Sequence, residues 1–143
     1  MITFEDLKVE QTWFEKNQKQ IKIGLEGEGE VRKWIGSHNF PLLQIDAMFK
    51  CENKWYCAEI KTQEKYVHNP FDGHGLSMPQ IQARLSFCKD TNTIPVLMVR
   101  CLDDNVLYYE DLRKLMRTRP YTTKGNTPRV IFNLKYFKIG QLI

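Results

Sequence analysis

The chain has 143 residues, 42% hydrophobic and 27% charged, a composition that suits one domain, spanning residues 1–143, around a single core and excludes a low-complexity chain. No run of about 18 apolar residues occurs, so no transmembrane helix is expected, and the opening Met-Ile-Thr-Phe-Glu-Asp lacks the basic and apolar stretches of a secretory signal. The net charge of +4 conceals an asymmetry: residues 112–143 carry +8 with no acidic side chain, while the remainder carries −4. Such a division suits either one basic surface turned to a polyanion or a solvated basic face. Cys51, Cys57, Cys88 and Cys101 include no C-x-x-C pair, so reduced, mostly buried thiols and a cytoplasmic location are expected.

In chain order, Thr3 and Asp6 predict the start of a helix reaching about Gln20, with Phe4, Leu7 and Phe14 on its apolar side. Val31, Trp34, Ile35 and His38 recur at helical spacing and predict a second helix from about Leu25 to His38. Two strands follow, Leu42 to Cys51 and Lys54 to Thr62, joined by Glu52-Asn53. A polar loop is expected from Gln63 to Leu76. Ser77-Met-Pro-Gln80 reads as a capping box with proline in the first turn, opening a helix that ends near Asp90-Thr-Asn. Ile94 to Cys101 is a continuous apolar strand of the buried, parallel kind. A short strand (Val106 to Tyr109), a basic helix (Glu110 to Arg117), a loop (Tyr121 to Pro128) and a last strand (Val130 to Lys138) complete the reading. Helix, strand, strand, helix, strand predicts an α/β sandwich around a mixed sheet.

The hairpin carries the chemistry. With Glu52-Asn53 as a two-residue turn, cross-strand partners have numbers summing to 105, which sets Asp46 opposite Glu59. Lys61 and Gln63 share the Glu59 face, and Ile45, Ala47, Phe49, Tyr56, Ala58 and Ile60 collect on the other as a candidate core surface. Two facing carboxylates repel unless a cation lies between them, and Mg²⁺ or Mn²⁺ prefers such oxygens. Lys61 is then placed to steer an attacking water and offset charge on a phosphate, while the ion lowers the pKa of its bound water. The plainer reading is a salt-bridge ladder on the surface, and Glu52-Asn-Lys54 repeats the E-x-K tripeptide as mere turn residues.

Ile45-Asp46 followed by Ala58-Glu59-Ile-Lys61-Thr-Gln63 resembles the signature of the PD-(D/E)xK nucleases, with Gln44-Ile45 where many members have proline before aspartate. The resemblance implies a restriction-endonuclease-like fold, a three-layer sandwich around a mixed sheet with an α-β-β-β-α-β core across about residues 25–101. It implies Asp46 and Glu59 as metal ligands, the Ile60 carbonyl assisting, Lys61 as the catalytic lysine and Gln63 continuing the catalytic face. Gly24-Leu-Glu-Gly-Glu28 resembles the family's first helix, where a glutamate assists the metal. Glu28 fits that role best and Glu30 second, although an acidic residue in a first turn is favoured by the helix dipole alone.

Gln80 and Arg84 share a helix face and are candidates for touching DNA, with capping as the plainer role of Gln80. Arg113, Lys114, Arg117, Arg119 and Lys124 are the expected phosphate-backbone contacts. His68 and His74 read as solvated loop histidines. Together these residues predict a Mg²⁺- or Mn²⁺-dependent nuclease acting on DNA, endo- and exo-action both left open, with structure-directed endonucleolytic cleavage of branched DNA favoured over a sequence-specific site and a homodimer as one way to cut both strands. The alternatives are a noncatalytic nucleic-acid-binding protein that keeps the fold, or an α/β protein whose carboxylates are structural.

Overall fold

The computed structural model describes residues 15–39 and 42–141, in which Gln44–Leu142 forms one unit and the residues before it another. The helix expected from Thr3 falls largely outside the described residues, and residues 18–20 already belong to α1 (Gln18–Ser37). That helix starts seven residues before the expected Leu25. It has no buried residue, and Glu28 pairs with Arg32 at 3.1 Å, an exposed i,i+4 ion pair.

The second unit is built on a five-stranded mixed sheet. Its strands are β1 (Ala47–Cys51), β2 (Lys54–Gln63), β4 (Ile94–Cys101), β5 (Val106–Asp111) and β8 (Lys138–Gln141), side by side in that order. Glu52 and Asn53 both take left-handed φ, 50° and 63°, the backbone of a twist-matched two-residue hairpin turn. The β1–β2 register follows: Ala47 faces Ala58, Phe49 faces Tyr56 and Cys51 faces Lys54, so every pair sums to 105. β2 and β4 run parallel, with Glu59 beside Leu97 and Lys61 beside Val99, and β5 returns antiparallel.

β3 (Gly73–Ser77) stands where a loop was expected. It pairs with β7 (Arg129–Asn133), which also pairs with β6 (Tyr121–Thr122), in a second, three-stranded sheet. Gly-His-Gly-Leu-Ser has little strand propensity of its own, and tertiary packing overrides it. Gly73 is required there because a Cβ would collide with the Phe132 carbonyl oxygen. The expected last strand is likewise divided: the Asn133 side chain accepts from Lys135 N (3.1 Å), opening a 3-10 turn at Leu134–Tyr136 before β8.

α2 (Met78–Thr91) begins at Ser77 with proline in its first turn, and ends on left-handed Asn92, with Thr93 N donating to Cys88 O at 2.9 Å. Ser77 Oγ donates to Gln80 Oε1 (2.9 Å) and accepts from no backbone N–H of the first turn, so the capping box is altered. α3 (Leu112–Met116) is shorter than the basic helix expected, because Glu110 and Asp111 finish β5 and Asp111 accepts from Arg113 N at 2.9 Å. Ile81, Leu97, Val99, Leu112, Leu115, Val130 and Phe132 form the core, between the large sheet on one side and α2, α3 and the small sheet on the other.

The covered face of β2 is the polar one. Phe49 and Ile60, expected to point inward, are 37% and 46% exposed, whereas Glu59 is 6% exposed. The reason lies in β4, whose Leu97 and Val99 pair with Glu59 and Lys61 and bring those side chains to the packed face. Cys57, Cys88 and Cys101 are buried as expected, and Cys51 is exposed. No helix among the described residues is long and apolar enough to cross a membrane.

Candidate active site

Alternation along β2 sends Glu59, Lys61 and Gln63 to one face, opposite Tyr56 and Ile60. β1 begins at Ala47, and the Asp46 carboxylate just before it turns back so that Oδ2 accepts from Ile60 N at 2.9 Å. That bond ties the segment before β1 to the middle of β2.

Glu59 lies beneath α2. Arg84, from the second turn of that helix, sets its guanidinium on Glu59 Oε2, and the two side chains are 14% and 7% exposed. The contact is a close ion pair that occupies Glu59 Oε2 inside the fold, although its geometry falls short of an aligned hydrogen bond. Arg84 also donates to Gln44 O (3.2 Å) and Gln80 O (3.4 Å). Burial pushes the Glu59 carboxyl above its ordinary range; Arg84 pulls it back and nearby Asp46 raises it again.

Lys61 is half-buried. Desolvation pushes its ammonium below the ordinary lysine value, Glu59 opposes that, and Arg129 and Arg84 add to it. Further along, His74 Nδ1 lies 2.7 Å from Gln63 Oε1; the carbonyl oxygen only accepts, so Nδ1 carries the hydrogen. His74 is fully buried, with Tyr66, Tyr108 and Phe137 around its ring, and its Nε2 has no partner. Burial, opposed by Asp104, takes its pKa down to about 4. The sequence reading as a solvated loop histidine is therefore overturned by β3, which carries His74 inside.

Glu59, Lys61 and Gln63 thus stand in a file along β2, Asp46 is bonded to Ile60 N from just before β1, and Arg84, His74 and Arg129 lie beside them. Sequence reasoning named Arg84 only as a candidate DNA contact, read His74 as a solvated loop histidine and gave Arg129 no place in the site. The glycines on both sides of His74 were the available signal, since close strand packing asks for them.

The other candidates stand elsewhere. Gln80 is half-buried in the first turn of α2 and bonded to Ser77. Arg113 grips Asp111 through two nitrogens, at 2.7 and 3.1 Å, while Lys114, Arg117, Arg119 and Lys124 are exposed along α3 and the segments after it. Glu28 belongs to the other unit.

Asp46 and Glu59 supply carboxylate oxygens of the kind a small oxygen-seeking cation takes, with Arg84 the positive charge now on Glu59 Oε2. Among the described residues no group of three or more His, Cys, Asp or Glu side chains could hold a metal ion.

No protein-family model matches the chain, and no curated protein matches it. Among solved structures it is similar to the Holliday junction resolvase Hjc of the archaeal hyperthermophile Archaeoglobus fulgidus, at 7% sequence identity and a TM-score of 0.39. The similarity covers 57% of this chain and 59% of the resolvase chain, so the chain spans less than two thirds of that structure's length.

Proposed function

We propose that the chain is a PD-(D/E)xK-type nuclease that hydrolyses DNA phosphodiester bonds with a bound Mg²⁺ or Mn²⁺. One observation carries the reading: a two-residue turn registers the hairpin so that Asp46 lies at Ile60 N while Glu59 and Lys61 share the adjacent covered face. Asp46 and Glu59 would hold the ion, with the Ile60 carbonyl assisting. The ion supplies Lewis acidity toward a phosphoryl oxygen and an acidified water.

The chain's own residues do the remaining work. Glu59 and Asp46 fix the negative end of the site. Lys61, its ammonium destabilised by burial, has a more available lone pair than a solvated lysine and sits where the proton of an attacking water is released. Gln63, anchored through Oε1 by His74, keeps its amide N–H₂ for the phosphate. Exposed Lys114, Arg117, Arg119 and Lys124 contact backbone phosphates.

A second reading has its own observation. Arg84 already supplies Glu59 with a positive charge, as expected of a noncatalytic nucleic-acid-binding protein that keeps the fold. One experiment separates them: labelled duplex, single-stranded and four-way DNA are incubated with the protein in Mn²⁺ and in EDTA. The nuclease reading requires cleavage in Mn²⁺ alone, greatest on branched DNA. Binding without cleavage in either condition selects the noncatalytic reading.

A further inference from the structure

The face of the large sheet turned away from Glu59 holds an open hollow of about 410 Å³, entirely within the second unit. Its floor includes Phe49, Tyr56, Met98 and Tyr109. Phe49 and Tyr56 are cross-strand partners whose rings stack at 5.0 Å with an interplanar angle of 3°, and Phe49, on the edge strand, is 37% exposed. Exposed Lys54, Lys114 and Lys138 stand on the rim. Of the acids there, Asp111 is held by Arg113 at 2.7 Å, and Glu110, whose Oε1 accepts from Asp111 N at 2.8 Å, keeps its charge against three lysines.

An aromatic floor inside a rim of lysines has a definite chemical complement. The rings take a flat, apolar π-surface, and the lysines take anions a few ångströms outside it. A nucleotide offers both. A base within a double helix has its faces covered by its neighbours, so only an unpaired base reaches such a floor. A peptide of acidic residues would satisfy the lysines but leave the aromatic surface unused.

We infer that this hollow binds a single-stranded stretch of nucleic acid, with bases against Phe49 and its neighbours and phosphates on Lys54, Lys114 and Lys138. The site lies on the opposite side of β2 from Glu59 and Lys61 and stands whether or not those residues cleave. For a chain acting near DNA branches, it would hold a strand already out of the duplex.

The test is binding of labelled oligothymidylate, oligouridylate and a duplex of equal length, followed by fluorescence anisotropy in EDTA so that no cleavage occurs. Phe49→Leu keeps apolar bulk and removes the ring; it should weaken single-strand binding about 10-fold, within the range for loss of one stacked base. Lys54→Glu with Lys138→Glu should weaken it further and reduce the salt slope by about 1.4, two phosphates' worth for a single strand. Because either variant can perturb folding, photocrosslinking of bromouridine-substituted strands to the unaltered protein provides the second measurement. Crosslinks in the peptides carrying Phe49, Tyr56 or Tyr109 support the site. Unchanged affinity in both variants, duplex binding equal to single-strand binding, or crosslinks confined to the Glu59 side would each overturn it. Cleavage assays in Mn²⁺ report separately on Glu59 and Lys61, so failure of one proposal leaves the other measurable.

Discussion

Arg84 and Glu59 form a nearly dry ion pair between α2 and β2, with only 14% and 7% of their side chains exposed. Neither group has enough water to replace its partner. Arg84→Gln leaves Glu59 buried with Asp46 close by, and loss of one member of such a pair costs about 3 kcal/mol. Glu59 escapes part of that cost by protonating, since its carboxyl is already raised by burial and Arg84 is the group pulling it down. A carboxyl raised in the folded state loses stability as pH climbs through its folded pKa, so the variant's deficit should grow from pH 5 to pH 8. Urea unfolding at both values checks this; an equal deficit at each pH would refute it.

The same pair changes what is expected of the acidic residue itself. From sequence alone, Glu59→Gln and Lys61→Ala both look benign for folding. In the structure Glu59→Gln strands the Arg84 charge, whereas Lys61→Ala leaves the ion pair intact. Glu59→Gln should therefore unfold at lower urea, and Lys61→Ala should stay near the unaltered protein. In single-turnover cleavage both should be at least ~100-fold slower, with excess Mn²⁺ partly restoring Glu59→Gln and not Lys61→Ala. Full rates in both variants would remove Glu59 and Lys61 from the chemistry.

His74 gives a pH signature of its own. Its pKa falls from 6.5 to about 4 on folding, so the unfolded chain binds more protons between those values. Stability is then fully present above about pH 6.5 and declines as pH falls toward 4, by roughly 3 kcal/mol in all. Denaturation midpoints measured from pH 4 to 7 should show this slope, and His74→Gln should flatten it. A His74 ring resonance titrating near pH 6.5 would contradict the burial argument.

Salt dependence should divide the basic residues unequally. Arg113 is committed to Asp111, whose carboxyl its hydrogen bonds hold low against the effect of burial. Lys114 and Arg117 are exposed. Lys114→Gln and Arg117→Gln together should flatten the dependence of duplex DNA affinity on salt, by roughly 0.9 for each phosphate that is no longer neutralised. Arg113→Gln should change it less. Equal effects from all three would mean that Arg113 leaves Asp111 to bind DNA.

The parts legible in the sequence are those whose signals are local. Glu52-Asn53 leaves room for only one short turn, and that turn fixes every pair from Ala47–Ala58 to Cys51–Lys54. Ser77, Pro79 and Asn92 mark both ends of α2, and the apolar run Ile94–Cys101 is strand β4 to the residue. What escaped depends on neighbours distant in sequence. Gly73–Ser77 becomes a strand only because β7 lies beside it, 56 positions away at Gly75 and Ile131. Which face of β2 is covered is decided by Leu97 and Val99, and the Arg84–Glu59 pair by the seat of α2 over that face. Alternation sorts side chains into two sets and says nothing about which set meets the core.

The two left-handed residues at the hairpin tip have a consequence for inheritance. Asp46 lies six residues from Glu52, roughly 20 Å along an extended strand. One residue added to β1 between them, with the pairing beyond it kept, would rotate Asp46 to the Phe49 side and take it away from Ile60 N. A lineage carrying that codon would keep all three of Asp46, Glu59 and Lys61 in its gene and lose their meeting. Genetic tolerance of this chain should therefore be poorest to single-codon insertions within the hairpin, a class of lesion that a search for altered site residues would never flag.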